Sequence, residues 1–384
     1  MPVANFSMGH SGRADWRSAC DECLAQLGSM AAAEPEATHQ SHLGFVYVTD
    51  AFGPSLGAIV NHLRTETGVQ HWVGSVGLGI CASGIEYFGA PAIAVLVGGL
   101  PPDSFRVFDG IKEDLTAFET THGTWCDAHA AFFAMVHADP NNTALPGLIE
   151  LLSARLGGGT GGFLVGGLAS AETSMVQVAN GLTSGGLSGV VLSPEVSVTT
   201  RLSQGCAPIG PRREITRAEQ NIIVEIDGRP ALEVLNEDIG EILARDLRRA
   251  AGYIFAGLPI QGSDTGDYLV RNLVGVDPRN GVIAIGELVS PGQRIMFCRR
   301  DAPSAAADMS RMLAELSDAI DGAPQAGVYY SCLARGPNLF GPNSEEVKMI
   351  SETFADLPLV GFFANGEISH HRLYAYTGVL TLFG

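Results

Sequence analysis

The feature that most restricts the fold is a pattern that returns along the chain. From Gly44 the sequence reads "GFVYVTDAFGPSLGAIVNHL", and from Gly327 "GVYYSCLARGPNLFGPNSEEVKMI". Each runs through an apolar strand, a polar strand end, Phe-Gly-Pro-Ser/Asn, and then a helix. Phe52-Gly53-Pro54-Ser55 matches Phe340-Gly341-Pro342-Asn343. Ser55 and Asn343 stand where a helix cap belongs, and Glu346 stands at the third helical position of a capping box begun by Asn343. After each helix an apolar strand opens on Val-Gly, in "WVGSVGLGICASG" (72–84) and "LVGFFANGEIS" (359–369). A second apolar run follows each, "APAIAVLVGGL" (90–100) and "RLYAYTGVLTLFG" (372–384). A fainter third copy starts at "AAFFAMVHADP" (130–140) and continues through "LPGLIELLSARL", "FLVGGLASA" and "LSGVVLSP". The intervals Pro54 to Gly74, Pro146 to Gly166 and Pro342 to Gly361 are nearly equal.

Three βαββ units predict mixed sheets carrying helices, a mixed α/β (α+β) fold with pseudo-repeated units and two subdomains. A right-handed crossover makes the two strands of each unit parallel, and the last strand is expected to return as a hairpin. The middle of the chain has another texture. "NIIVEIDGRPALEVL" (221–235) reads as a hairpin turning at Asp227-Gly228. "NEDIGEILARDLRRA" (236–250) reads as an amphipathic helix with Asn236 or Asp238 near its cap. "GVIAIGELVSPGQRIMFCRR" (281–300) supplies two strands, and "SAAADMSRMLAELSDAI" (304–320) a helix that Ser304 would cap. The least patterned stretch, 199–218 with its "PIGPRRE", is the expected boundary. Three segments follow: 1–40 with a helix over Trp16–Leu27, then 41–215, then 216–384.

Charge excludes some partners. With a net charge of −18 the chain would be repelled by nucleic acid and by anionic membranes. No apolar run is long enough to span a bilayer without glycine breaks, and "MPVANFSMGHSGRADW" lacks the pattern of a secretory leader, so a cytoplasmic location is expected. The 7 cysteines are scattered and odd in number, as reduced thiols are. Lys112 and Lys348 are the only lysines and neither follows a glycine, so "LGGGTGG" (156–162) is a helix end and turn and not a phosphate-binding loop.

"EIDGRPALEV", "SCLARGPNLFG" and "VGFFANGEIS…YTGVLTLFG" resemble the C-terminal half of FIST domains, the sensory modules of bacterial signal-transduction proteins and of some F-box proteins. "YVTDAFGP", "VGSVGLGI" and "AIAVLVGGL" are similar to the matching N-terminal half. The likeness covers residues 40 to 384. It implies small-ligand sensing, with amino acids and related metabolites as ligands, haem in some members, and a signalling partner. No stretch is left over for a fused output domain, so a stand-alone module is expected.

Candidate residues gather at strand ends, where open α/β sheets collect ligands. Arg335 offers a planar fork suited to a carboxylate. Glu367, with Asn365 in the same "NGEIS" loop, belongs to the end of the neighbouring strand and would hold an amine. The plain alternative is that Arg335 and Glu367 pair with each other. Cys332 is a nucleophile only if its thiol is activated, and Glu345 and Glu346 oppose that; a cysteine-dependent hydrolase is the enzymatic alternative. Asp50 is near the matching strand end of the first unit. Gly74 and Ser75 allow close approach to the backbone. Cys20 and Cys23 form a CxxC with acidic neighbours, a poor zinc or redox site. His39 with His42, His122 with His129, and His370 with His371 are the candidates for noncovalent haem, the third alternative.

Overall fold

The computed structural model describes residues 6–28, 41–159, 161–240, 252–260 and 267–384. They form two compact units. One comprises the chain up to Ser203 with Met309–Leu373 and Thr377–Gly384; the other comprises Gln204–Asp308 with Tyr374–Tyr376. Each compact unit is discontinuous in sequence. The last strands of the chain are sheet partners of the first half, as the pairings below show.

The first unit opens with β1 (Phe6–Ser11) and α1 (Trp16–Leu27). Then come β2 (Ser41–Thr49), α2 (Leu56–Thr67), β3 (His71–Gly77), β4 (Gly79–Ala82), β5 (Ile85–Phe88) and β6 (Ile93–Leu100). Next are β7 (Phe105–Ile111), β8 (Phe133–Ala138), α3 (Leu145–Arg155), β9 (Phe163–Leu168), β10 (Gln177–Ala179), β11 (Gly181–Thr183), β12 (Leu187–Leu192) and β13 (Val198–Gln204).

The second unit holds β14 (Cys206–Pro208), β15 (Arg213–Glu219), β16 (Ile222–Ile226), β17 (Arg229–Pro230), α4 (Ala231–Ile239), β18 (Ile254–Pro259), β19 (Tyr268–Asp277), β20 (Val282–Ile285) and β21 (Arg294–Arg300). Antiparallel pairing runs β21-β15-β16-β20-β19-β18 and back to β21, which closes a barrel. Leu232, Val234 and Leu235 of α4 pack into its core with Ile215, Ile223, Ile283 and Phe297. The Asp227-Gly228 turn has both φ angles positive, 50° and 73°, as a tight two-residue hairpin requires. Its second arm is only β17, because the helix begins at Ala231, five residues before the predicted start. The rest of that predicted helix, 241–250, lies outside the described residues.

Through α5 (Ala302–Ala319) the chain reaches β22 (Ala326–Cys332), α6 (Glu345–Thr353), β23 (Leu359–Ala364), β24 (Glu367–His370), β25 (Arg372–Tyr374) and β26 (Thr377–Phe383). Asp301, not Ser304, caps α5: its carboxylate accepts from Ser304 N at 3.0 Å and Oγ at 2.9 Å.

The first unit is three sheets of one design. The parallel pairs are β2–β3, β8–β9 and β22–β23, each joined through a helix. The return strand does not make a hairpin with its predecessor as predicted; β6, β12 and β26 cross over to pair antiparallel with the first strand of their unit. The strand that follows each parallel pair leaves its own sheet. β4 pairs with β23, β10 with β3, and β24 with β9, so the exchange is cyclic. The inner faces of all three sheets supply one core, with Phe45, Met135, Val190, Val328 and Phe362 among its residues. Helices cover the outer faces: α1 and α2 on the first sheet, α3 on the second, α5 and α6 on the third. Cys20 and Cys23 are fully buried in this layer, where burial pushes the Cys20 thiol up to about 12, so the CxxC is packing.

One local device recurs. Gly74, Gly166 and Gly361 lie opposite Val46, Val136 and Tyr329 in the parallel pairs. A Cβ on them would meet the facing carbonyl oxygen at 1.8, 1.9 and 1.9 Å respectively. The Val-Gly signature is thus the mark of a close backbone approach. The next residues on the first strands, Tyr47, His137 and Tyr330, meet in the shared core. Tyr47 Oη is 3.0 Å from His137 Nε2 and donates to Tyr330 Oη at 3.3 Å.

Candidate functional site

The β22–α6 turn is built to bury charge. Beyond Cys332, Arg335 N donates to Cys332 O at 2.8 Å, and Gly336 takes φ of 53°, which only a glycine adopts without strain. This geometry turns the Arg335 side chain inward, where it is fully buried and lies over the Phe340 ring at 5.0 Å. Its partner is Glu346, not Glu367. Arg335 Nε donates to Glu346 Oε1 at 2.7 Å, and the other nitrogens reach Ser203 O and Oγ, Tyr329 Oη and Met309 Sδ. Glu346 Oε1 also accepts from Tyr329 Oη at 2.6 Å and Ser331 Oγ at 3.0 Å, while Oε2 accepts from Gly336 N at 2.6 Å. Burial alone would lower the Arg335 pKa, but the facing Glu346 charge and the Tyr329 hydroxyl outweigh it, and the guanidinium stays charged. Two buried, hydrogen-bonded charges hold the turn. The fork that sequence reading reserved for a ligand carboxylate is taken up by the protein.

The predicted capping box is also absent, because Glu346 points into the core. Asn343 and Ser344 have φ of 71° and 61°, and neither side chain caps α6. The cap comes from β5: Glu86 accepts from Val347 N at 3.2 Å, and its own N–H donates to Ser344 Oγ at 2.8 Å. Burial, then the Glu346 charge, push the Glu86 carboxyl up to about 7. Ser55 likewise makes no side-chain cap for α2.

Glu367 opens β24 and is fully buried. Its Oε2 accepts from Thr377 N at 3.0 Å and Oγ1 at 2.8 Å. Its Oε1 has no hydrogen-bond partner among the described residues. Burial lifts the carboxyl to about 8, against the pull of the Thr377 bonds, the Arg335 charge and the nearby Cys332 thiol. Cys332 is 8% exposed, and Asn365, exposed on the loop between β23 and β24, donates its N–H to Leu168 O at 3.0 Å. The structure therefore brings together Cys332, Glu367 and, through its charge, Arg335.

Asp50, Gly74 and Ser75 serve elsewhere. Asp50 accepts from Glu172 N at 3.2 Å and Thr173 Oγ1 at 2.8 Å, tying down the loop after β9. Ser75 is buried and donates to Val76 O at 3.1 Å. No hydrogen bond among the described residues links these three to Cys332 or Glu367. The histidine candidates are engaged with ring neighbours: His122 with Phe118, His129 stacked on Trp125, and His370 with both Phe163 and His371. His39 lies outside the described residues. No cluster of three His, Cys, Asp or Glu suited to a metal occurs among the described residues. Glu346 was legible only as a cap, and His137, a polar residue inside an otherwise apolar strand, was the unused signal for the core triad.

The FIST N domain matches residues 42–229, and the FIST C domain residues 231–370. The chain belongs to the FIST family. FIST domains are the sensory domains of signal-transduction proteins. An uncharacterized protein of Mycobacterium tuberculosis is 34% identical over 325 residues, covering 81% of this chain and 83% of its own. An uncharacterized protein of Mycobacterium bovis is 31% identical over 323 residues, covering 81% and 82%. Among the described residues, no helix of this FIST protein is long and apolar enough to cross a membrane.

Proposed function

We propose that this FIST protein senses a small nitrogen-bearing metabolite, an amino acid or related amine, and passes the signal to a separate partner protein without chemistry. The observation that supports the reading is the half-satisfied carboxyl of Glu367, buried at the strand ends beside Cys332 and Asn365. A buried carboxyl oxygen without a donor is costly, and an ammonium or amide N–H supplies the missing donor. Binding an ammonium would also draw the carboxyl back to its charged form, so the ligand is taken up more tightly as pH rises through the Glu367 range. Arg335 contributes through its charge and not by contact.

A thermal-shift and calorimetric screen of amino acids and amines tests this. The expected result is a ligand that stabilises the wild-type protein and fails to stabilise Glu367→Gln. Stabilisation that survives in Glu367→Gln, or none from any amine or amino acid, ends the proposal.

A further inference from the structure

A cavity of about 350 Å³ lies at the opposite type of position, the starts of strands β2 and β3 beside the edge strand β7. Its volume is in the range of small-molecule sites. Ser41, His71, Asp103, Phe105, Arg106 and Asn180 line it. None of these residues has a part in the Glu367 cluster.

The polar groups there are unevenly satisfied. Both oxygens of the exposed Asp103 carboxylate already face a group of the wall: Oδ1 accepts from Arg106 Nη2 at 2.5 Å, and Oδ2 lies 3.2 Å from His129 Nε2. The donors keep spare capacity. Arg106 uses Nη1 on Phe105 O at 2.8 Å and Nη2 on Asp103, which leaves further N–H groups of its five-donor fork without a partner among the described residues. Asn180 accepts from Trp72 N through Oδ1 at 3.1 Å, and its Nδ2 has no partner there. The His71 ring touches Phe105 edge-on at 5.3 Å, and neither it nor the Ser41 hydroxyl makes a side-chain hydrogen bond among the described residues.

The arrangement is also held in place. Arg106 lies over the Trp125 ring at 4.6 Å, and His129 stacks against the same ring at 4.7 Å. Trp125 Nε1 donates to Asp103 O at 3.2 Å, fixing a residue whose φ of 58° is left-handed. Ser104 Oγ closes the turn on Pro101 O at 2.7 Å. A guanidinium pinned on an aromatic ring spends little further entropy when it binds.

The geometry points to a second site in this protein, a receptor for a small organic anion whose carboxylate or phosphate is held by Arg106, Asn180 and His71 while its apolar part rests on Phe105. Unused donors around one carboxylate whose two oxygens already face Arg106 and His129 select an acceptor-bearing ligand. Arg106 gives a forked contact to either anion.

Calorimetric titration of the full chain with benzoate and, separately, with inorganic phosphate at fixed low ionic strength tests the inference. One-site saturable binding of at least one anion is expected in the millimolar range or tighter. Benzoate alone marks a carboxylate site and phosphate alone a phosphoryl site. Arg106→Gln should weaken binding at least about ten-fold, the loss of a charge-assisted contact, and Glu367→Gln should bind as the wild type does. Ser41→Phe, which fills the cavity and leaves Arg106 untouched, should abolish binding, and it decides the matter if Arg106→Gln does not fold. Absence of saturable binding by both anions, or wild-type affinity in either cavity variant, overturns the assignment.

Discussion

Arg335 and Glu346 form a fully buried ion pair, Nε to Oε1 at 2.7 Å, between the turn that leaves β22 and the first turn of α6. Glu346 collects four donors in all, including two from β22, so the pair fixes the helix to its own strand. Removing Glu346 leaves the Arg335 guanidinium buried without its counter-charge. Glu346→Gln is expected to cost about 3–5 kcal/mol, whereas Arg335→Met combined with Glu346→Leu should recover much of that. Urea melts read by far-ultraviolet circular dichroism check both; a single-variant loss below about 1 kcal/mol would show that the pair does not hold the turn.

The three close-approach glycines make a second, sharper expectation. A methyl group on Gly74, Gly166 or Gly361 meets a carbonyl oxygen that belongs to a central strand and cannot move aside. Each glycine-to-alanine change should destabilise by about 1–3 kcal/mol or more, through forced separation of the parallel pair. Gly181→Ala is the control: it is exposed on β11, nothing lies within 4 Å of its added Cβ, and the effect should stay within about 0.5 kcal/mol. Equal effects at Gly74 and Gly181 would refute the account.

The strands and the three strand–helix–strand crossovers were legible because each rests on local signals, an apolar run, a Gly-Pro break and a helical period. α1 runs over the predicted Trp16–Leu27. Beyond the three parallel pairs, pairing partners were not legible. Sequence reasoning put Glu367 beside Arg335 as the end of the next strand in the same unit, but Glu367 opens β24, which leaves that unit and pairs with Gly167 on β9. The same exchange carries Glu86 on β5 to the start of α6, where it displaces Asn343 as cap. Which edge a short strand joins depends on the assembled sheets, and no window of sequence contains that information.

His137 should set the acid limb of stability. It is fully buried, and desolvation lowers its pKa to about 3 from 6.5. With Tyr47 donating to Tyr330, the Nε2–H tautomer donates to Tyr47, and Nδ1 keeps a buried lone pair without a partner among the described residues. The folded pKa lies below the unfolded one. Its stability contribution is therefore complete above pH 6.5 and is lost as pH falls from there toward 3, by at most about 1.4 kcal/mol per pH unit. His137→Met should flatten that limb and cost about 1–2 kcal/mol at pH 8, where a tyrosine hydroxyl loses its partner. Parallel acid limbs in the two proteins would remove His137 from the explanation.

Glu367 carries the opposite sign. Its folded pKa, about 8, lies above the usual 4.5, so the stability it permits is complete below pH 4.5 and is lost as pH rises through 8, when the carboxyl must ionise in a buried place with one oxygen unpaired. Glutamine cannot ionise, and its carbonyl can still accept from Thr377. Glu367→Gln should match the wild type near pH 5 and exceed it at pH 9, by about 1–3 kcal/mol. Melting temperatures taken from pH 5 to pH 9 read the divergence directly. A ligand ammonium would relieve the same strain, so the wild-type protein at pH 9 should gain more from its ligand than it does at pH 6. A variant less stable than the wild type at pH 9 would mean that the ionised carboxylate has a partner in the fold, and the amine reading would lose its basis.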